Sequence, residues 1–588
     1  NMKDLTLRYY DIEMRYLRDA AKEFAETHPD RAAMLNLDRA GTPDPFVERL
    51  LEGFAFSVGR LRQKIDDDLP ELTEGLVSML WPHYLRTIPS LAVVALTPDL
   101  PKMKIAETAP AGLEIFSRPV GPKNTVCRYR TTKPVTLNPL AVAGVAMGTE
   151  PDGRSVLRLR LTSSGQADWS QCDLRQLSLW LGEDVPVATA LHQRLTRRQA
   201  ALYIRLAGQP ERSAFDGWFS PGGFDEDDRL WPKGESAFSG YQLLLEYFTF
   251  PEKFRFVNLN GLETLSLPPG LAYIDIEVVF SEPWQSDLPV KERSLRLHCV
   301  PVINLFDLEA DPLTVNGLES EYLLRAKRLQ DGHTEIYSVD AVSGSGLAGA
   351  AEYVPFTSFR HRGGMMRRHA PERYFHTRVR RGVTGLHDTW LMLGGQQWEK
   401  DDVLSRDTLS LRITGTNGQL PRRALQSTLL DRCEQVLQTP VTVCNLTRPT
   451  LPAYPPAEDR FHWRVLSHLG SGFINMMNSA EVLRGTLALY NWQDDELCNR
   501  RLEAILDVQH HRLQRFESGY LLRGLDVEVT LDSSGFTGDG DIHLFGEMLN
   551  RFLSLYADMN QFIQLSLIIR PEGKCLRWKE NHSQRLPG

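Results

Sequence analysis

The sequence has few cysteines and arranges none of them in pairs. Seven are scattered over 588 residues with no C-x-x-C spacing, so neither a disulfide framework nor a zinc cluster is predicted, and reduced, mostly buried thiols are expected. Long apolar runs are absent too, because the longest, residues 91–96 and 140–147, fall far below the roughly 18 residues that span a bilayer. The first residues, Asn1-Met2-Lys3-Asp4, form no apolar leader. We therefore expect a cytoplasmic protein without a membrane anchor.

A surplus of positive charge is also missing. The formal net charge is −8 at pH 7 and the pI is about 6.1, which argues against general nucleic-acid binding because that requires excess Lys and Arg. What is present is the composition of a folded chain, with 42% hydrophobic and 24% charged residues. At roughly 100–200 residues per domain, the length predicts about three to five domains.

Helical periodicity dominates residues 1–95. Apolar residues at steps of four and three predict a helix over residues 3–35, and they are Tyr10, Met14, Leu17, Ala21 and Phe24. Asp44 as N-cap and Pro45 at the first helical position predict a second helix, whose apolar stripe is Val47, Leu51, Phe54 and Val58. Asp68 and Pro70 repeat the start signal for a third helix. Both stripes are candidate partner-binding residues, but a self-contained helical bundle shows the same periodicity, and the sequence leaves the two interpretations open.

From residue 91 onward, apolar and polar residues alternate, which is typical of antiparallel strands with one face in water. The predicted strands are residues 156–161, 177–181, 201–206, 273–280, 294–302, 334–339 and 408–413. Neither a regular strand–helix alternation nor a fixed repeat is visible, so a doubly wound sheet, a solenoid and a propeller are not expected. The middle of the chain is predicted to hold β-rich antiparallel domains.

Helical signals return near the end of the chain. Ser479 is expected to cap a helix, and a charged helix over residues 494–514, a strand over 521–531, a helix containing Phe545 and a strand over 564–570 should follow. Linkers rich in Gly and Pro are predicted at residues 343–350, 360–382 and 449–456. The predicted fold is a multidomain α+β protein. Its domains are a helical segment (1–95), a β-rich domain (96–262), a β domain (263–345), a β domain with an Arg-rich loop (346–445) and an α+β domain (446–588).

No string of residues predicts catalysis. Gly344, Gly346 and Gly349 satisfy G-x-G-x-x-G, but Pro355 follows where a phosphate-binding helix would have to run, so a flexible linker is the better interpretation. Carboxylate clusters such as residues 66–68 and 225–228 lie at helix starts or in polar loops, which favours solvation over metal binding. The sequence contains no H-E-x-x-H and no G-x-S-x-G motif. We predict no catalytic residue, no cofactor and no metal.

Residues 360–382 hold eight arginines and a single carboxylate, Glu372. Interleaved aromatic residues such as Tyr374 would suit single-stranded nucleic acid, whereas forked guanidinium groups also suit a protein interface. The acidic chain as a whole favours an interface or a solvated loop over nucleic acid. The candidate basic interface consists of Arg360, Arg362, Arg367, Arg368, Arg380 and Arg381.

Several strings, in collinear order over most of the chain, resemble one family. They include D-P-F-V-E-R-L-L-E-G-F-A-F at residues 44–56, E-Y-F-T-F-P-E-K-F at 246–254, C-V-P-V-I-N-L-F at 299–306 and L-F-G at 544–546. These segments are similar to those of the TssF (VasA, ImpG) subunits of type VI secretion baseplates. His298 and Phe375 stand where the family pattern has Asn and Trp, a departure that bears on local contacts.

The resemblance implies a non-enzymatic wedge component of a contractile injection machine, similar to the wedge proteins of phage tail baseplates. In such wedges two TssF copies pair with one TssG through a shared helical core. The assembly docks TssK, TssE and the central VgrG hub, and six wedges close a ring. The resemblance also implies recruitment to the inner-membrane-associated apparatus, with the membrane complex contacted only indirectly, and a rearrangement that is passed on as the sheath contracts.

We expect Leu17→Asp or Phe54→Asp to abolish co-purification with TssG while the β domains stay folded. A soluble enzyme with a dispersed site is the competing class of protein, because catalytic residues need not be contiguous. Nucleic-acid binding through residues 360–382 is a third alternative.

Overall fold

Two compact units make up the chain. Of the residues that the computed structural model describes, the helical unit contains 2–34 and 45–80. The β-rich unit contains residues 86–165, 168–182, 184–197, 199–232, 239–316, 319–327, 332–346, 349–355, 373–395, 407–424, 429–456, 476–517, 519–556, 561–579 and 581–582.

The helical unit consists of α1 (Met2–Thr27), α2 (Pro29–Met34) and α3 (Pro45–Leu80). The prediction of one helix over residues 3–35 is wrong, because α1 ends before Pro29, which has no amide hydrogen and restricts the residue that precedes it. Pro45 begins α3 as predicted, and the predicted N-cap Asp44 lies outside the described residues. The third helix predicted from Asp68 is also wrong. Helix α3 runs through Pro70 to Leu80, since one internal proline removes a single ladder hydrogen bond without having to end a long helix.

The β-rich unit contains six further described helices and thirty described strands. The helices are α4 (Val185–Thr196), α5 (Ser239–Thr249), α6 (Leu420–Arg423), α7 (Ala480–Ala488), α8 (Glu496–Glu503) and α9 (Asp539–Tyr556). The strands up to residue 280 are β1 (Leu91–Pro98), β2 (Glu107–Ala109), β3 (Glu114–Val120), β4 (Thr125–Thr131), β5 (Val135–Leu137), β6 (Leu140–Thr149), β7 (Ser155–Ser163), β8 (Gln176–Leu181), β9 (Gln199–Leu206), β10 (Ser213–Ala214), β11 (Trp218–Gly222), β12 (Phe256–Asn260) and β13 (Tyr273–Phe280). The later strands are β14 (Leu295–Arg296), β15 (Cys299–Ile303), β16 (Phe306–Glu309), β17 (Leu313–Val315), β18 (Tyr322–Leu323), β19 (Glu335–Gly346), β20 (Gly349–Pro355), β21 (Arg373–Arg381), β22 (His387–Gly395), β23 (Asp407–Thr416), β24 (Leu430–Cys433), β25 (Val441–Asn445), β26 (Ile505–Glu517), β27 (Tyr520–Asp532), β28 (Gln561–Arg570), β29 (Lys574–Arg577) and β30 (Asn581–His582).

These strands pair almost throughout in antiparallel fashion. The sheet orders are β24-β3-β4-β15-β1-β25, β10-β9-β13-β7-β6, β11-β12-β8-β14, β2-β5, β16-β23-β19-β20-β21-β22-β18 with β17 on β23, and β26-β27-β28-β29 with β30 on β28. Within the described part of the chain, only the β20–β21 and β27–β28 pairs are parallel. A helical N-terminal segment, an antiparallel β-rich middle and an α+β C-terminal part confirm the predicted fold class.

Separate hydrophobic clusters hold the sheets together. One cluster joins α4 to the five-stranded sheet that contains β13 and to the four-stranded sheet that contains β8. Leu191, Leu179 and Ile276 are fully buried in this cluster. A second fills the six-stranded sheet, and a third fills the eight-stranded sheet. The six-stranded sheet takes strands from residues 91–131, 299–303 and 430–445, so sheet membership is not sequential, and the domain boundaries stay a prediction.

Most predicted strands are confirmed. Those at residues 156–161, 177–181, 201–206, 273–280 and 408–413 lie within β7, β8, β9, β13 and β23, and those at 521–531 and 564–570 lie within β27 and β28. Ser479 caps α7 as predicted, since its side chain accepts a hydrogen bond from the Val482 amide at 3.2 Å. Regular alternation and a polar cap are local signals, and at these positions the tertiary structure keeps the secondary structure that they predict.

The predicted linkers at residues 343–350 and 360–382 are wrong where the structure describes them. Gly344 and Gly346 lie in β19 and pair with Ala351 and Gly349 of β20. Glycine suits position 344, because a Cβ there would collide with the carboxylate of Asp407 unless that side chain moved. The second segment is strand β21 from Arg373 onward. Residues 449–456 form no helix or strand, in agreement with their four prolines.

Two further elements differ from prediction. The strand expected over residues 294–302 is divided into β14 and β15 because His298 takes a left-handed conformation, φ 60°, and its buried ring accepts the Asn138 amide at 3.0 Å. The charged helix expected over residues 494–514 ends at Glu503, and β26 follows. Pairing of β26 with β27 along its whole length outweighs the local helical pattern.

Helices α4 and α5 within the β-rich middle were not predicted. Helix α4 buries Leu191 and Leu195 completely, and a helix with this much buried surface shows little amphipathic contrast. Asp184 followed by Pro186 in the first turn is the start signal that could have indicated it.

Candidate protein-binding surface on the helical unit

Helices α1 and α3 pack against each other in antiparallel orientation. Arg62 of α3 forms an ion pair with Glu13 of α1 at 2.6 Å, and Arg18 of α1 approaches Glu48 of α3 at 3.5 Å. The Arg62–Glu13 pair stabilises the helix contact more than the Arg18–Glu48 pair does, because Glu13 is buried whereas water screens the charges of the exposed pair. The two pairs set the register of the helices.

Small residues allow the two helices to approach closely. Ala55 is fully buried. A Cβ on Gly59 would lie 3.2 Å from the amide nitrogen of Tyr10 and 3.3 Å from the carbonyl carbon of Tyr9. The α1–α3 contact is therefore backbone against backbone at this point, and it fixes which side of α3 faces away.

The predicted partner-binding residues divide into two groups. Met14 is buried, at 6% exposure. The half-buried group consists of Tyr10, Leu17, Ala21, Phe24, Val47, Leu51 and Val58. Phe54 alone among the predicted residues is exposed, at 59%. The half-buried residues already have part of their surface covered within the chain, so their stripe is only partly available to a partner.

An apolar stripe that the sequence analysis did not single out lies beside Phe54. Leu50 is 75% and Leu61 60% exposed, and the spacing of Leu50, Phe54 and Leu61 places the three on one side of α3. We call these three residues the outer stripe. On α1, Ile12 and Tyr16 are also exposed and lie one turn apart. Large apolar side chains gathered in water on one face are typical of a surface that another protein covers.

The candidate basic interface is only partly described. Arg360, Arg362, Arg367 and Arg368 lie outside the described residues. Arg380 donates through Nη1 and Nη2 to both carboxylate oxygens of Glu321, at 2.6 and 2.8 Å. Arg381 is exposed. The forked face of Arg380 is thus occupied by a carboxylate, and this geometry does not favour the nucleic-acid alternative.

An open groove of about 610 Å³ on the eight-stranded sheet gives no support to a dispersed catalytic site. Its charged residues include Glu309, Lys327 and Asp340. Lys327 pairs with Glu309 at 3.1 Å, and Asp340 accepts hydrogen bonds from Ser338 at 2.7 Å and Thr414 at 2.6 Å. Each of these three groups is thus held by an ion pair or by hydrogen bonds to its neighbours.

Among the residues that the structure describes, no three His, Cys, Asp or Glu side chains are grouped so that they could hold a metal ion. None of the described helices is long and apolar enough to cross a membrane.

An exposed apolar face on a helical unit is typical of proteins that work as subunits of an assembly. The family model described as "Type VI secretion system, TssF" matches residues 2–585. The chain therefore belongs to the TssF family of the type VI secretion system, as its sequence segments indicated.

Similar proteins agree with this assignment. The chain is 28% identical over 627 aligned positions to "Type VI secretion system component TssF1" of Pseudomonas aeruginosa, and the alignment covers 99% of this chain and 100% of that protein. Among solved structures, the chain is 75% identical to a chain of a type VI secretion system TssK-TssF-TssG baseplate subcomplex, with a TM-score of 0.82 over 92% of this chain and 100% of that one. It is 72% identical to a chain of "The baseplate complex from the type VI secretion system", with a TM-score of 0.67 over 99% and 100% of the two chains.

Proposed function

We propose that this chain is a structural subunit of a type VI secretion baseplate that assembles with TssG and TssK. The observation that carries the proposal is the 75% identity to a chain of a TssK-TssF-TssG baseplate subcomplex. At that identity, most side chains that such a chain presents to its neighbours are expected to recur. The outer stripe supplies an apolar surface of the kind that subunit contacts use.

In this proposal the outer stripe of α3 contacts TssG. Burial of an exposed Leu or Phe side chain contributes about 1.5–3 kcal/mol, so the three side chains together could supply most of a stable contact. The half-buried stripe residues, Leu17 and Val58 among them, then have a supporting role, because they hold α1 against α3 and so shape the surface.

The finer roles follow from the family resemblance and belong to the same proposal. Two copies of this chain pair with one TssG, and the wedge docks TssE and the VgrG hub. Six wedges close a ring that is recruited in the cytoplasm to the inner-membrane-associated apparatus. The chain acts by changing its contacts as the sheath contracts, and not by catalysis. Arg381 and the arginines at 360–368 would contribute a basic interface to such contacts.

Co-expression tests the assembly directly. The full chain, TssG and TssK are produced together, and the mass of the recovered complex is measured by native mass spectrometry. The proposal predicts a complex that contains all three proteins, with two copies of this chain for each TssG. Recovery of this chain alone would contradict it, and recovery with one copy per TssG would contradict the stoichiometry.

A further inference from the structure

A second exposed surface lies on the hairpin of β26 and β27, in the β-rich unit. The two strands pair along their whole length, from Ile505 opposite Leu531 to Glu517 opposite Tyr520. Strand β28 accompanies β27 only from Arg523 onward. Within the described residues, the end of the hairpin therefore extends past its sheet and has no strand beside it.

The register shows which face of the hairpin continues the buried face of the sheet. Val508 lies opposite Val529 and next to Leu567, and all three are buried. A Cβ on Gly546 of α9 would lie 2.6 Å from Leu567 Cδ1, so α9 covers this face. Side chains at every second position share a face, and the same face runs outward along both strands to the tip of the hairpin.

Along this continuation the side chains become exposed. Phe516 and Leu521 lie directly opposite each other, and they are 82% and 42% exposed. Gln514 lies opposite Arg523, and Arg512 lies opposite the buried Leu525. Gln514, Arg512 and Arg523 are all exposed. We call Arg512, Gln514, Phe516, Leu521 and Arg523 the shelf.

The reverse face of the hairpin differs from the shelf. There the buried ring of Phe562 occupies the space that Gly524 leaves open, and the guanidinium of Arg515 lies 4.7 Å from the centre of that ring. Asp526 and Glu528 also point to this face, opposite His511 and Gln509. The shelf itself carries two arginines and no carboxylate, although the chain as a whole is acidic.

We propose that the shelf docks an amphipathic helix, rich in carboxylates, from another subunit of the baseplate. A helix is the fitting occupant because the same sheet face is covered by helix α9 in the body of the domain. Apolar residues of that helix would cover Phe516 and Leu521, and its carboxylates would pair with Arg512 and Arg523. The identity of the partner as a baseplate subunit rests on the proposed function, whereas the chemistry of the shelf does not.

Photo-crosslinking of the full chain tests this proposal. Benzoylphenylalanine replaces Phe516 in the chain co-expressed with TssG, TssK and TssE, and the crosslinked peptides are identified by mass spectrometry. The same replacement at Val383, which is fully exposed in the turn after β21, supplies the background. The expected adduct lies on a helical, carboxylate-rich segment of a different subunit. Its yield should fall about tenfold when Arg512→Glu and Arg523→Glu are combined and persist with Arg512→Lys and Arg523→Lys.

Any other pattern overturns the proposal. This includes an adduct within the same chain, an adduct with a second copy of the chain, an adduct that charge reversal leaves unchanged, and a yield no higher than at Val383. A matching thermal unfolding midpoint of the charge-reversed chain shows that lost crosslinking is not lost folding. If TssG and TssK still co-purify while the shelf forms no adduct, the shelf proposal fails and the proposed function stands. If the unmodified chain recovers neither protein, the proposed function itself fails.

Discussion

Gly59 of α3 lies against the backbone of Tyr10 in α1, where a Cβ would be only 3.2 Å from the Tyr10 amide nitrogen. Neither the backbone at Gly59 nor that at Tyr10 can shift easily to make room for a side chain, because both are part of a helix. The close approach of α1 and α3, and with it the outward direction of Leu50, Phe54 and Leu61, depends on the absence of a side chain at residue 59.

We predict that Gly59→Val separates the two helices and destabilises the helical unit by about 1–3 kcal/mol. Hydrogen exchange of peptides from residues 2–34 and 45–63 should accelerate, while peptides from the β-rich unit keep their rates. Gly53→Ala is the matched control, because residue 53 is exposed on the same helix with no atom within 4 Å of an added Cβ. It should stabilise the helix by about 0.5–1 kcal/mol. Unchanged exchange in Gly59→Val would contradict the packing described.

The buried pair of Glu246 and Lys253 gives a second prediction. Both side chains are almost fully buried and in contact, and Glu246 also accepts hydrogen bonds from the Leu230 amide at 2.8 Å and the Gln242 amide nitrogen at 3.0 Å. Lys253→Met leaves the Glu246 carboxylate buried without its cation, so the free energy of unfolding should fall by about 3–5 kcal/mol.

Adding Glu246→Gln to Lys253→Met removes the buried charge and keeps the acceptor for Leu230. The double variant should therefore recover more than half of the lost free energy in urea denaturation. Equal stability of the single and double variants would show that the charge is not the cause.

Stability should also depend on buried histidines. Burial lowers the pKa of His192 to about 3 and that of His298 to about 4, from an ordinary 6.5. Each ring is neutral in the folded chain and gains a proton more readily on unfolding, so its stabilising effect is complete above pH 6.5 and is lost as the pH falls toward its folded pKa. As the pH falls from 6.5 to about 4, each histidine should lower the free energy of unfolding by about 1.4 kcal/mol per pH unit.

His192→Asn tests this dependence. Nδ1 of His192 lies 3.1 Å from Nε2 of the buried His543, and the smaller amide can keep a polar contact there without acquiring a proton. Denaturation at pH 7 and pH 5 should show a shallower loss of stability in this variant than in the unmodified chain. An identical slope in the variant and the unmodified chain would refute the assignment.

Local signals in the sequence predicted those parts of the fold that local structure decides. Alternation identified β7, β13 and β23, and Ser479 marked the start of α7. Helix α8 was predicted too long because strand β26 is stabilised by its pairing with β27, which residues 494–514 alone do not reveal. The glycines at 344 and 346 suggested a linker, since the Asp407 carboxylate that lies close to Gly344 comes from β23, a neighbouring strand in the sheet that is distant in the sequence.

The exposed apolar residues of α3 were identified only in part, for a related reason. The 4-3 spacing of Leu17, Val47 and their neighbours correctly marks the apolar side of each helix, but spacing does not say whether a helix of the same chain or of another chain covers it. Leu50 and Leu61 lie beside that stripe, and both are exposed. Family membership was predictable because it rests on collinear segments and not on packing.

The most direct test of the account is co-purification with TssG of a chain that carries Phe54→Asp. A charge at this exposed position should cut recovery of TssG at least tenfold without unfolding either unit, because a carboxylate cannot be buried in an apolar contact. Val383→Asp, at a fully exposed position in the turn after β21, should recover TssG normally. Normal recovery with Phe54→Asp, and again with Leu50→Asp and Leu61→Asp, would contradict the claim that the outer stripe is the surface through which this subunit joins the baseplate.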